Sequence, residues 1–166
     1  MVAARGSEHC PSIARALGAD NDWLCGALSR SIEVSAEPGH MPDPKALTAF
    51  ARGLRRHLHV GHEILLPALE GRTNDPLQAA AIAAMREEHH RIQCALERVL
   101  HLVQEGDFEL LRDELVVLQS VLEEHARLEE GLIYPACDRL LDPAIRVAAV
   151  RALDRKVTGT TLPPPP

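Results

Sequence analysis

Aromatic residues and long apolar runs are both scarce in this 166-residue chain. Aromatic residues make up only 2% of it, whereas 46% of the residues are hydrophobic, so the core of the single expected domain must be aliphatic. Few β-branched or aromatic runs occur, which favours helices over strands. No stretch approaches the roughly 18 consecutive apolar residues that a membrane span needs, so we expect no membrane partner.

The chain also lacks an excess of positive charge. Its formal net charge is −6, whereas binding to a phosphate backbone needs Lys and Arg concentrated on one face, so we expect no nucleic-acid partner. Neither CxxC pairs nor an apolar secretory segment at the start is present. The cytoplasm is the simplest location for a chain whose only cysteines are Cys10, Cys25, Cys94 and Cys137.

Aspartate–proline pairs divide the chain into long helices. Such a pair begins at Asp43, Asp75 and Asp142, and it places an N-cap residue before a proline at the first helical position. The expected helices span residues 11–36, 44–70, 76–105, 108–134 and 143–156. We therefore predict one domain over residues 1–157, followed by a disordered, proline-rich tail over residues 158–166.

Each long segment carries apolar residues at alternating spacings of three and four. Four such stripes predict an all-α fold, an antiparallel up-down four-helix bundle, with a short C-terminal helix. In the fourth helix Tyr134 comes nine residues after His125, which places it on the opposite side of an ideal helix. The predicted stripe of that helix is Leu115, Leu118, Leu122, His125, Glu129, Leu132 and Ala136.

The two halves of the chain resemble each other. A shift of 68 positions matches His57 with His125, among other identities. Two copies of a helical hairpin related by a pseudo-two-fold axis explain this repeat. The same shift places Asn21 on His89 and Gly61 on Glu129.

Polar residues interrupt the apolar stripes at one level of the predicted bundle. They are His57, His89 and His125, with Glu129 one turn beyond His125 on the same face. An isolated ionised carboxylate is costly to bury unless it is paired, protonated or bound to a metal. Imidazole with carboxylate suits iron, zinc or manganese. A buried His–Glu hydrogen-bond network without metal is the alternative.

The fourth helix carries a family motif. The segment that begins at His125, with Glu129 and Glu130 followed by Gly-Leu-Ile-Tyr-Pro, resembles the HxxxE(E)xxLFP signature of hemerythrin-like (HHE) cation-binding domains. The segment after His57 is similar, and Glu88-His89 resembles an element of the family's third helix. The resemblance covers residues 11–137. It implies a hemerythrin-like bundle with a non-haem di-iron centre, whose matching ligands are His57, His89, His125 and Glu129.

Two family positions are not matched. Asn21 stands where the first-helix histidine is expected, and Gly61 stands where the second glutamate is expected. These departures remove ligands mainly from one iron. One metal retains a facial set of His89, His125 and Glu129, with His57 completing it or holding a weaker second metal. Gly61 would leave a gap for water or a small ligand.

Three residues are candidate replacements for the missing ligands. His62 would need a π-bulge to turn inward. Glu63 lies four residues after His59, and an exposed ion pair explains that spacing better than a shifted ligand set. Cys25, one turn after Asn21, offers either a thiolate or simply a small buried side chain.

The sequence supports two classes of function. The first is a non-haem iron protein that binds O2 or NO, or that senses or stores iron. The second is a degenerate, metal-free bundle that acts as a protein-interaction module. The sequence supplies no recognisable general acid or substrate pocket beside the metal, so enzymatic turnover is left open. The oligomeric state, a homodimer included, is also left open.

Overall fold

The computed structural model describes residues 10–36 and 40–154 of the chain. Five helical rods run through this part, and we number them α1 to α5. Their bounds are Ile13–Ser35 for α1; Pro44–His59, Val60–Leu65 and Leu66–Glu70 for α2; Pro76–Glu105 for α3; Phe108–Leu128, Glu129–Ile133 and Tyr134–Leu140 for α4; and Pro143–Leu153 for α5. The all-α prediction is confirmed.

The helix starts predicted at residues 44, 76, 108 and 143 are confirmed, whereas α1 begins at Ile13 and not at residue 11. The side chains of Asp43, Asp75 and Asp107 each accept a hydrogen bond from a backbone N–H in the first turn of the helix that follows. The Asp142 side chain makes no cap hydrogen bond to any residue that the structure describes. Gly106 ends α3 in the left-handed conformation, with φ of 74°, which glycine adopts without a steric penalty. The tail predicted over residues 158–166 lies outside the described residues.

Helix α4 is longer than predicted, because it continues through Leu140 and not only to Tyr134. Both α2 and α4 contain a π-helical turn, Val60–Leu65 in the former and Glu129–Ile133 in the latter. A proline follows shortly after each turn, where the ordinary α-helical hydrogen-bond pattern is already interrupted. The rods therefore continue past Pro67 and Pro135 without a break.

The core consists of two apolar clusters, one toward each end of the bundle. One cluster combines the start of α1 and α3 with the end of α2 and α4, which is the arrangement that antiparallel neighbours produce. The other cluster contains the opposite ends of these helices. Helix α5 packs on α1 and on the π-helical turn of α2. None of the helices in residues 10–36 and 40–154 combines the length and apolar character that crossing a bilayer requires.

Candidate metal centre

A layer of buried polar side chains separates the two apolar clusters. Along α3, for example, Met85 belongs to one cluster and Ile92 to the other, and His89 lies between them. The corresponding levels of α1, α2 and α4 are polar as well. The buried polar residues of this layer are Asp20, Asn21, His57, Glu88, His89, His125 and Glu129.

Three of these side chains bring possible ligand atoms together. One donor atom from each of His57, His125 and Glu129 lies within 4.8 Å of the other two. The Nε2 atom of His57 is 3.2 Å from Glu129 Oε2, and the Nε2 atom of His125 is 3.4 Å from Glu129 Oε1. All three side chains are at most 2% exposed. Helices α2 and α4 therefore bring two imidazoles and one carboxylate together at one buried place in the bundle.

His89 borders this group from α3. Its ring centroid is 5.0 Å from that of His125, and the residue is 2% exposed. Within the described part of the chain, neither ring nitrogen of His89 has a hydrogen-bond partner. Burial, together with the neighbouring His125, lowers the pKa of His89 to about 3, so the ring is neutral at pH 7 and has a free lone pair.

These unpartnered nitrogens fit a cation. A buried polar group without a partner is costly, and His125 Nε2 also makes no hydrogen bond within the described residues although it lies near Glu129. An ion held by His57, His125 and Glu129 would satisfy His125 Nε2, and if His89 also joined it, one of the two His89 nitrogens. The donor set thus contains imidazole and carboxylate without a thiolate.

Two further carboxylates support the imidazoles from outside the group. Asp20 Oδ2 is 3.1 Å from His57 Nδ1, and Glu88 Oε2 is 3.3 Å from His125 Nδ1. A carboxylate on Nδ1 holds that proton and leaves Nε2 as the atom that faces the site. Sequence reasoning missed Asp20 as a functional residue and used Glu88 only as part of a motif. The shift of 68 positions relates the two and was a usable signal.

The charges of the group are balanced internally. Burial alone would lower the pKa of His57, but the carboxylates of Glu129 and Asp20 raise it to about 10. Burial likewise opposes the charge of Glu129, yet His57 and His125 hold its pKa well below the ordinary value. Both nitrogens of His57 contact a carboxylate, and only an imidazolium can donate to both.

The π-helical turn of α4 changes which residues face inward beyond Glu129. The prediction that Leu132 lies on the inner stripe is wrong, because it is 41% exposed while Ile133 is buried. The prediction that Tyr134 lies on the opposite side of the helix is wrong for the same reason. One extra residue in the turn rotates everything after it, so Tyr134 is fully buried and its hydroxyl donates to Glu129 Oε2.

The π-helical turn of α2 places Gly61 against His89. A Cβ atom at Gly61 would lie 2.9 Å from His89 Cε1. The predicted gap beside Gly61 is therefore filled by the His89 ring. His62 follows in the same turn, with its ring centroid 5.8 Å from that of His89 and its side chain 43% exposed. The π-bulge that an inward His62 required is present, and it brings that ring beside His89 at the edge of the site.

The other candidate replacements lie outside the donor group. His59 and Glu63 are both exposed, and the ion pair that Glu63 forms is with His62, whose Nε2 is 4.0 Å from Glu63 Oε1. Cys25 is half-buried, and burial together with the carboxylates of Glu123 and Asp22 raises the pKa of its thiol. The thiol form is therefore favoured, which agrees with a small packed side chain.

The chain matches the model of a known family. The hemerythrin HHE cation binding domain family matches residues 15–137, which is most of the chain. The chain belongs to this family. A search of curated proteins and a search of solved structures each return no match. Membership agrees with the helical bundle and with the buried donor group at its centre, and it confirms the family resemblance of the sequence motifs.

The HHE chain departs from its family's pattern at the two positions named above. Asn21 donates a hydrogen bond from Nδ2 to Glu129 Oε2 over 3.1 Å, so it contacts the donor group as a neutral amide. Gly61 offers no side chain at all, and His89 occupies its space. The first half of the chain therefore contributes one imidazole, and the second half contributes two imidazoles and the carboxylate.

Proposed function

We propose that this HHE protein binds a non-haem metal ion, iron in the first place, through His57, His89, His125 and Glu129. The observation that carries the proposal is the convergence of buried donor atoms from two helices, with unpartnered imidazole nitrogens beside them. Imidazole and carboxylate are ligands of iron, zinc and manganese alike, so metal analysis must distinguish these ions. When bound, iron would supply open coordination positions for a small molecule.

The ligands that we propose for that iron are diatomic, O2 or NO. The buried apolar clusters on either side of the polar layer keep bulk water away from the donor group, which suits a small uncharged ligand. A role in sensing or storing iron uses the same ligand set. The cytoplasmic location stays a prediction, and the oligomeric state, a homodimer included, stays open.

Anaerobic loading with Fe(II) tests the proposal. We expect purified protein to retain iron after desalting and to change its optical spectrum on exposure to O2 or NO. A double substitution, His125→Ala with Glu129→Ala, should abolish retention. His90→Ala is the matched control, because His90 is exposed on the same helix as His89. Failure of the unsubstituted protein to retain any metal would refute the proposal.

One observation favours a second candidate, the metal-free interaction module. Glu129 Oε2 already receives hydrogen bonds from Asn21 and Tyr134 and lies 3.2 Å from His57 Nε2, so the carboxylate is satisfied without an ion. The two candidate functions predict different effects of added metal on the stability of the fold. A ligand that binds only the folded state raises its stability, so Fe(II) or Zn(II) should raise the melting temperature if the metal proposal holds. An unchanged melting temperature supports the interaction module.

A further inference from the structure

The two oxygens of Glu129 have different surroundings. Oε2 accepts from Asn21 Nδ2 over 3.1 Å and from the Tyr134 hydroxyl, and it lies 3.2 Å from His57 Nε2. Oε1 faces His125 Nε2 at 3.4 Å. One oxygen of the carboxylate is thus held by three donors, and the other is open toward the imidazoles.

Asn21 and Tyr134 are donors that a metal ion does not displace. An imidazole exchanges its proton for a metal, but a primary amide has no such exchange. The Tyr134 hydroxyl donates to Oε2, the oxygen that Asn21 also contacts. Asn21 is 5% exposed and Tyr134 is fully buried, so water does not replace either contact. Oε2 therefore keeps two hydrogen bonds when the site is loaded.

Among the described residues, the position that matches Glu129 in the first half of the chain carries no carboxylate and has little room for one. The repeat aligns Gly61 with Glu129, and the ring of His89 lies 2.9 Å from where a Cβ atom would stand. Asn21, aligned with His89, supplies an amide in place of an imidazole. A carboxylate that bridges two ions through its two oxygens needs both of them. Of the three carboxylates that the described residues place in this layer, Asp20 and Glu88 contact the Nδ1 atoms of the imidazoles. Glu129 is the one that faces the donor group, and its Oε2 is already engaged.

We propose that the centre holds a single metal ion, and that Asn21 and Tyr134 impose this limit by keeping Glu129 Oε2 in hydrogen bonds. Glu129 then coordinates through Oε1 alone. This inference rests on the proposed function, since a protein that binds no metal has no nuclearity. Asn21 and Tyr134 are positioning residues in this scheme, because they act on the ion through Glu129.

Metal stoichiometry separates the two proposals. The full chain is titrated anaerobically with Fe(II), desalted and analysed for iron and protein, and the NO adduct is examined by electron paramagnetic resonance. We expect one iron per chain and the spectrum of an isolated iron. A ratio of two with a coupled pair overturns the single-ion inference and leaves the proposed function standing. A ratio of zero refutes the proposed function itself.

Two double variants of identical composition test the positioning role. Asn21→His with Tyr134→Phe removes both lasting donors to Oε2 and adds an imidazole beside it. Asn74→His with Tyr134→Phe adds the same imidazole on an exposed loop residue. We expect the iron ratio to rise above one only in the Asn21 variant. A ratio that stays at one in both, with intact helical circular dichroism, overturns the role of Asn21 and Tyr134.

The single variant Tyr134→Phe covers the case in which a double variant does not fold. It keeps the buried ring and removes only the hydroxyl that contacts Glu129. Loss of such an outer contact lowers metal affinity by roughly tenfold to a hundredfold in comparable sites. We expect a loss in this range, measured by competition with a chelator at constant pH. Unchanged affinity would mean that the hydroxyl does not position Glu129.

Discussion

The two halves of the molecule share a scaffold but not a set of ligands. Helices α1 and α2 form one hairpin, α3 and α4 form the other, and a shift of 68 residues relates them. Each hairpin has a π-helical turn at the level of the site. Each has an inward histidine, His57 or His125, whose Nδ1 contacts a carboxylate, Asp20 or Glu88.

The halves differ where a side chain would touch a metal or its carboxylate. The pairs, first-half residue first, are Asn21 and His89, Gly61 and Glu129, and Leu66 and Tyr134. The second-half members are imidazole, carboxylate and phenol, whereas the first-half members are an amide, a bare backbone and an aliphatic chain. The first hairpin thus keeps the supporting carboxylate and the π-helical turn but lacks most of the ligands. The comparison teaches that this scaffold does not depend on the presence of the ligands.

Removing the carboxylate that only the second half supplies should have the largest effect. In Glu129→Gln, the buried His57 and His125 lose their shared counter-charge. Breaking a buried ion pair by removing one partner costs about 3–5 kcal/mol. We expect the metal-free protein to lose stability in this range, measured by urea unfolding, and to lose iron retention as well.

Glu124, on the same helix, provides the control for that substitution. It is exposed, so Glu124→Gln should change the free energy of unfolding by less than about 0.5 kcal/mol. Equal losses in the two variants would contradict the assignment of Glu129 as the charged centre of the layer. They would also remove the main difference between the two hairpins.

The sequence predicts the helices, the bundle and the level of the site, because capping residues and apolar spacing act locally. Asp–Pro pairs mark helix starts, and the interruption of the stripes by His57, His89, His125 and Glu129 marks the polar layer. All four side chains are buried at one level of the structure, as the spacing predicts.

What the sequence did not predict follows from the π-helical turns. A stripe drawn at 3.6 residues per turn places Leu132 on the inner face and Tyr134 on the opposite side of the helix, and one extra residue in the π-helical turn reverses both placements. The same departure allows Gly61 to meet His89, a contact between helices that no local pattern contains. Asp20 was missed because a carboxylate that acts through His57 lies outside the ligand motif.

Filling the space at Gly61 should have the next largest effect and tests the first hairpin directly. In Gly61→Ala, the new methyl group meets His89 Cε1 at 2.9 Å, so the imidazole must move. Overpacking of this kind costs about 1–3 kcal/mol. We expect lower thermal stability and weaker metal binding, measured by calorimetry and by chelator competition.

Gly131 is a glycine in the other π-helical turn and serves as the control. A Cβ atom there meets nothing within 4 Å among the described residues. Gly131→Ala should therefore raise stability by about 0.5–1 kcal/mol, since alanine restricts the unfolded chain more than glycine does. Stabilisation by both substitutions would contradict the close contact between Gly61 and His89.

Substitutions of Asp20 and Glu88 should weaken metal binding to a similar extent if the two hairpins share a scaffold. Each accepts the Nδ1 proton of a histidine in the donor group, over 3.1 Å for His57 and 3.3 Å for His125. Asp20→Asn and Glu88→Gln should each weaken metal binding by roughly tenfold to a hundredfold, measured by chelator competition. The exposed Glu87→Gln serves as the control. A loss confined to Glu88→Gln would show that the first hairpin contributes packing alone.

The smallest effect is expected from substitution of Asp138, which lies away from the metal layer. The repeat relates Asp138 to Glu70. Asp138 accepts hydrogen bonds from Ser12 Oγ at 2.7 Å and from the backbone N–H groups of Ile13 and Ala14 at the start of α1. Partial burial would raise the pKa of Asp138, but these donors lower it below the ordinary value. Asp138 therefore caps a helix of the other hairpin, whereas Glu70 forms an exposed ion pair with Arg86.

Asp138→Asn should cost about 0.5–2 kcal/mol near pH 7, the range of a lost helix cap, and leave iron retention unchanged. Because folding lowers the pKa of Asp138, its contribution is present above the unfolded value of about 3.9 and is lost as the pH falls through the folded value. The free energy of unfolding in urea should thus differ between Asp138→Asn and the unsubstituted protein near pH 7. The difference should disappear in acid, below the folded pKa of Asp138. Glu70→Gln should change the free energy of unfolding by no more than about 1 kcal/mol, the range found for exposed ion pairs. A difference that persists in acid would mean that the Asp138 charge does not hold α1 against the second hairpin.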